Sequence, residues 1–103
     1  MLVAQLSLTA AAAADEWSFS DVERVVAMAD IHGAYEPMVA GLQQAGVLDD
    51  QLSWSAARMH LVIVGDILDR GPRSRDAMDL LMRLESEAAA AGGKVHVLIG
   101  NHE

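Results

Sequence analysis

The chain has 103 residues, room for one small domain, and its 52% hydrophobic content with only 4% aromatics is a globular balance rather than a disordered one. A net charge of −8 argues against electrostatic binding to nucleic acid or to an anionic membrane surface. The absence of cysteine excludes disulfides, thiolate nucleophiles and cysteine-held zinc.

The opening stretch, MLVAQLSLTAAAAADEW, is apolar through Ala14 and then turns acidic. It admits two readings. One is a secretory leader over residues 1–14, cut after Ala14, which would place the protein in the periplasm or outside the cell. The other is an alanine-rich extension of a cytoplasmic protein. Either way the run is too short to span a membrane, and the domain proper is expected over residues 22–103.

From there the pattern alternates. RVVAMA, residues 24–29, reads as a short strand ending at Asp30. Pro37 is expected to open a helix through PMVAGLQQAG, with Met38, Leu42 and Ala45 on its inner face and Gly46 as its stop. A polar connection follows, in which Trp54 is expected to pack the crossover. HLVIV, residues 60–64, is the second strand. Pro72 suits the first turn of a second helix, whose stripe is Ala77, Met78, Leu81, Leu84 and Ala88 and whose stop is Gly92-Gly93. VHVLI, residues 95–99, is the third strand. His60 and His96 read as structural histidines rather than ligands. Met78 and Met82 read as core filler, and Arg73 and Arg75 as solvated helix-start charges.

The order β-α-β-α-β implies parallel strands joined by right-handed crossovers, with both helices on one face of the sheet. Because the strands are apolar on both sides, the other face should lack a cover. The chain is therefore expected to be incomplete or to have a partner there.

Parallel strands deliver the loops that follow them to one edge, where ligands of such sheets bind. Those loops are DIHG (residues 30–33), GDILDRG (65–71) and GNHE (100–103). Asp30 and His32 can point at one metal centre across a turn freed by Gly33. Asp66 is placed to bridge two ions, and Asn101 can offer its amide oxygen to the second. A mixed carboxylate and imidazole set suits Mn, Fe or Zn better than Ca or Mg. Two such ions can clamp a phosphate and activate water. Arg70 supplies a charged fork for phosphate oxygens. His102 suits the role of general acid to the leaving group, with its tautomer fixed by Asp69.

In this order and spacing the three loops resemble the signature of the calcineurin-like metallophosphoesterases. Within that family they are most similar to the PPP-type serine/threonine protein phosphatases, and to the bacterial Shewanella-like protein phosphatases among them. The resemblance runs from about Val25 to Glu103. Ala29 stands where that family usually has glycine, a small-for-small change.

The resemblance implies an α/β fold, of which this chain is the N-terminal half: a two-sheet sandwich flanked by helices when complete. It implies two divalent or transition metal ions, with Asp30, His32 and Asp66 on the first and Asp66 and Asn101 on the second. Arg70 and Asn101 would bind phosphate. His102, helped by Asp69, would protonate the leaving oxygen, and Glu103 would be a structural or supporting group. It also implies two further histidines and an arginine downstream of GNHE, so the chain is expected to be an incomplete fragment. The missing half, or self-association, would cover the open sheet face. Three functions follow: a phosphomonoesterase acting on phosphoproteins, a dinucleoside polyphosphate hydrolase with the same metal core, and an inactive chain that binds a metal or a partner.

Overall fold

A computed structural model describes residues 17–103; the expected leader over residues 1–14 lies outside the described residues. The elements are β1 (Val25–Met28), α1 (Tyr35–Gln44), β2 (His60–Ile63), α2 (Ser74–Ala90) and β3 (Lys94–Val97). The strands form one parallel sheet in the order β1-β2-β3. Among the described residues no helix is long and apolar enough to cross a membrane.

Register explains the core. Val26, Leu61 and Val95 lie side by side, as do Met28, Ile63 and Val97, and alternation along each strand sends both rows to the same face. Leu61, Ile63 and Val95 are buried there against Met38 and Leu42 of α1 and Leu80, Leu81 and Leu84 of α2. The observed stripe on α2 is Ala77, Leu80, Leu81, Leu84 and Ala88. Met78 and Met82 are not core filler: they are 40% and 62% exposed. Each follows a buried position by one residue, a rotation of about 100° that carries it off the stripe.

The helix ends follow local chemistry. Both close in the same motif: Val47 N–H donates to Leu42 O at 2.8 Å and Gly93 N–H to Ala88 O at 2.8 Å. The residues before them, Gly46 and Gly92, hold φ of 78° and 84°, which only glycine adopts cheaply. The starts differ from expectation. α1 begins at Tyr35, so Pro37 is its third residue, where the missing N–H has no intrahelical acceptor to lose. Pro72 precedes α2, whose first residue is Ser74.

Trp54 packs the crossover as expected. Its backbone N–H donates to Glu87 at 2.9 Å and its indole N–H to Ala57 O at 3.0 Å, which ties the connection to α2.

The outer face of the sheet carries Val25, Ala27 and Val62, but also His60, His96 and Lys94, so it is less uniformly apolar than expected. Val25 and Leu98 remain exposed. His96 Nε2 lies 2.9 Å from His60 Nδ1, one nitrogen donating and the other accepting. Phe19 stands edge-on to both rings at 5.2 and 5.0 Å. The two histidines are thus a satisfied pair, as read from their place in the strands. Burial, then the nearby His60 and Lys94 charges, push the His96 pKa below its ordinary 6.5.

A depressed histidine pKa means that the unfolded chain binds more protons in mild acid. His96 should therefore contribute full stability above pH 6.5, declining as pH falls below it toward the folded-state pKa. Urea unfolding above and below that value should show a loss in the wild type that shrinks in His96→Gln; an identical loss in both would contradict this account.

Candidate functional site

The three loops meet because their backbones can approach almost to contact. His32 N–H donates to Asp66 O (2.9 Å), Gly33 N–H to Ile67 O (2.9 Å), Gly71 N–H to His32 O (2.7 Å) and Arg73 N–H to Gly33 O (3.1 Å). These four bonds lash the first loop to the second. A Cβ on Gly71 would run into the His32 carbonyl oxygen, and one on Gly33 into that of Gly71. The second and third loops touch in the same way, since a Cβ on Gly65 would strike the Gly100 nitrogen. The four motif glycines are therefore paired contact points.

Such close packing forces unusual turns. Asp30, His32, Asp66, Asp69 and Arg70 have φ of 54°, 44°, 55°, 74° and 71°. Side-chain-bearing residues enter this left-handed region at a cost, and they cluster where surrounding contacts hold them.

Glu103 supplies the largest of those contacts. Its Oε1 accepts Asp66 N–H (2.6 Å) and Gly100 N–H (3.0 Å), and its Oε2 accepts Ile67 N–H (3.1 Å) and Leu68 N–H (3.2 Å). The Gly100 N–H, followed by the Leu68, Asp66 and Ile67 N–H groups, holds its pKa below the ordinary 4.5. The sequence marked Glu103 only as a supporting group. A turn whose amides all point inward needs an acceptor, but which residue supplies it was not visible along the chain.

The reactive side chains are set on this frame. His32 Nδ1 lies 3.0 Å from the Leu68 carbonyl oxygen. A carbonyl only accepts, so the ring proton sits on Nδ1 and Nε2 keeps its lone pair. That Nε2 lies 4.0 Å from Asp66 Oδ2, while Asp66 Oδ1 accepts the His102 backbone N–H at 3.1 Å. His102 Nδ1 in turn lies 3.2 Å from Asp69 Oδ2. The Arg70 backbone N–H, then the His102 ring, lower the Asp69 pKa below 3.8. The two imidazoles meet edge-on, with ring centres 4.7 Å apart.

Ligand-capable atoms of His32, Asp66 and His102 all fall within 4.8 Å of one another. The His32–Asp66 separation is shorter than twice a metal–ligand bond of about 2.1 Å, so the pair fits a shared divalent ion. His102, expected outside the metal set, stands within the same group. Asp30 does not join it; it lines a separate cavity of about 200 Å³ with Ile31, Ala34 and Met38. Strand-like alternation would put Asp30 and His32 on one side, but both are left-handed and buried Ile31 lies between them. Asn101 and Arg70 are exposed at the rim of the same edge.

A family model described as calcineurin-like phosphoesterase matches residues 23–103. Over 85 residues the chain is 39% identical to Shewanella-like protein phosphatase 2 of Arabidopsis thaliana, covering 82% of this chain and 22% of that one. It is 30% identical over 80 residues to Shewanella-like protein phosphatase 1 of Plasmodium berghei, covering 78% and 22%. Among solved structures, a cold-active protein-tyrosine phosphatase of a psychrophilic Shewanella species superposes with a TM-score of 0.78 at 36% identity, over 80% of this chain and 25% of that one. The chain thus spans about a fifth of the length of these curated relatives.

Three substitutions test the frame. Gly71→Ala should lower stability by about 1–3 kcal/mol in urea unfolding, the usual cost of forcing an extra carbon into packed structure. Gly41→Ala, facing only the Met28 methyl at 3.0 Å, should be near neutral; equal effects would contradict the close-contact account. Glu103→Gln should speed amide exchange at Asp66, Ile67, Leu68 and Gly100. In the wild type the carboxylate's contribution should be present above pH 4.5 and lost as pH falls through its lowered pKa. Protection at those amides that survives the substitution and the acid would sink the assignment.

Proposed function

This chain belongs to the calcineurin-like phosphoesterase family, and from that premise we propose that the whole protein is a metal-dependent phosphomonoesterase acting on phosphoproteins, with this chain carrying part of its centre. Family membership implies divalent metal ions. The observation that carries the reading is the pairing of His32 with Asp66 directly beside the pairing of His102 with Asp69.

Each residue has work suited to its surroundings. His32 offers Nε2 to a metal because Leu68 O holds its proton on the other nitrogen. Asp66 would be the carboxylate shared between two ions and Asn101 would add its amide oxygen, while Asp30, outside the His32–Asp66–His102 group in this structure, would have to turn toward His32 to join the set; Mn, Fe and Zn suit such donors. Bound there, the ions would supply Lewis acidity and an activated water. Arg70 would hold phosphate oxygens at the rim. His102, when protonated on both nitrogens with Asp69 accepting from Nδ1, would give the Nε2 proton to the leaving oxygen and return to the neutral ring.

The phosphatase names of the relatives favour phosphoserine, phosphothreonine or phosphotyrosine as the substrate class. The outer sheet face, with Val25, Val64 and Leu98 exposed, is where the remainder of such a protein, or a second copy of this chain, would pack.

The leaving group tests the roles separately. A phosphoserine alkoxide needs a proton, whereas p-nitrophenolate leaves as a stable anion. With added Mn²⁺, Asp66→Asn in the whole protein should abolish turnover of both substrates. His102→Gln should slow the phosphoserine peptide by roughly 10²–10⁴-fold and p-nitrophenyl phosphate much less. Hydrolysis of diadenosine tetraphosphate with no turnover of phosphopeptide would replace this reading with the nucleotide one. Full activity in Asp66→Asn would remove the metal centre from it.

A further inference from the structure

The two arginines at the start of α2 look alike in sequence and behave differently in the fold. The Arg75 side chain is 93% exposed and comes no nearer than 3.9 Å to Asp79. Arg73, 40% exposed, has partners on three elements. Its Nε donates to Asp76 Oδ2 at 2.7 Å and its Nη1 to Glu36. Its guanidinium carbon lies 4.3 Å above the centre of the Tyr35 ring. Its backbone N–H donates to Gly33 O at 3.1 Å.

That last bond changes the usual start of a helix. Arg73 is the residue before the first turn of α2, and Asp76 stands three positions on. In a capping box a Glu or Gln at that position returns to the backbone N–H of the capping residue. Here the N–H is committed to Gly33, so Asp76 takes the guanidinium instead. One residue thereby joins the first loop, the start of α1 through Tyr35 and Glu36, and the start of α2 through Asp76.

A lone exposed ion pair contributes little. A planar fork shared by two carboxylates and backed by an aromatic face is more rigid, and lysine cannot reproduce it. The backbone bond it reinforces lies one residue from His32 and two from Gly71, whose N–H holds the His32 carbonyl. The depth at which the His32 turn sits on the second loop sets both the Nδ1 bond to Leu68 O and the 4.0 Å gap from Nε2 to Asp66.

We propose that Arg73 is a positioning residue that holds His32 in register with Asp66. The inference rests on His32 acting as a metal ligand, as proposed above, but one of its readouts needs no metal. In the metal-free chain, nitrogen NMR of the His32 ring should show a single tautomer protonated at Nδ1. Arg73→Ala should give a mixture of tautomers and, in the whole protein, weaken Mn²⁺ binding, measured calorimetrically, by about tenfold. Arg73→Lys should behave like the alanine variant, Glu36→Gln should shift both readouts part of the way, and Arg75→Ala should change neither.

A folded Arg73→Ala chain with an unchanged tautomer and unchanged Mn²⁺ affinity would overturn the proposal, as would an equal shift in Arg75→Ala. If Arg73→Ala does not fold, Glu36→Gln decides, and an undisturbed ring there overturns it. If the whole wild-type protein takes up no Mn²⁺, the metal reading fails, while the ring tautomer still decides what Arg73 does.

Discussion

Four peptide N–H groups converge on the Glu103 carboxylate, three from the loop after β2 and one from the loop after β3. Remove that acceptor and the amides of Asp66, Ile67 and Leu68 have no partner of comparable strength, because the turn they belong to is not helical and pairs with no strand. The carboxylate therefore determines where Asp66 points and where Leu68 presents its carbonyl to His32. A residue with no evident chemistry of its own thus fixes the geometry of those that have it. Its oxygens use all the acceptor capacity of an ionised carboxylate, so the arrangement depends on the charged form.

The site concentrates backbone strain: of the eight left-handed non-glycine residues among those described, five lie there, the others being Asp21, Leu52 and Ala57. Both helices close with glycines in the conformation that suits them, and the inner sheet rows pack on an uninterrupted apolar stripe. The left-handed Asp30, His32, Asp66, Asp69 and Arg70 lie at the carboxyl edge. There a lattice of backbone bonds and paired glycines holds turns that the isolated chain would avoid. Arg73 extends the lattice outward to both helix starts.

The four histidines separate into two pairs by the same logic. His60 and His96 share a hydrogen bond on the outer face of the sheet beneath Phe19, where each satisfies the other. His32 and His102 instead give their Nδ1 protons to a carbonyl and a carboxylate, leaving Nε2 of each uncommitted. Residue type is identical in the two pairs; the outer-face rings bond each other, whereas the rings at the loop edge each bond a separate acceptor and stand beside Asp66.

Much of this was legible along the chain. Alternating apolar runs, glycine stops and the three motif loops determined the order of elements, the parallel sheet and the edge where the loops gather, because periodicity and turn chemistry are local properties. The inner stripe of α2 was legible except at Leu80 and Met78, where neighbouring apolar residues compete for one face and only packing chooses. The pairing of His102 with Asp69 was anticipated; the gathering of His32, Asp66 and His102 away from Asp30 was not, since it depends on left-handed turns that residue types do not announce. Arg73 and Arg75 were indistinguishable in sequence, and Glu103 was one more carboxylate. Tertiary structure decided these, because each acts through partners between about thirty and forty positions away, and a hydrogen bond across that interval exists only once the strands have set the loops side by side.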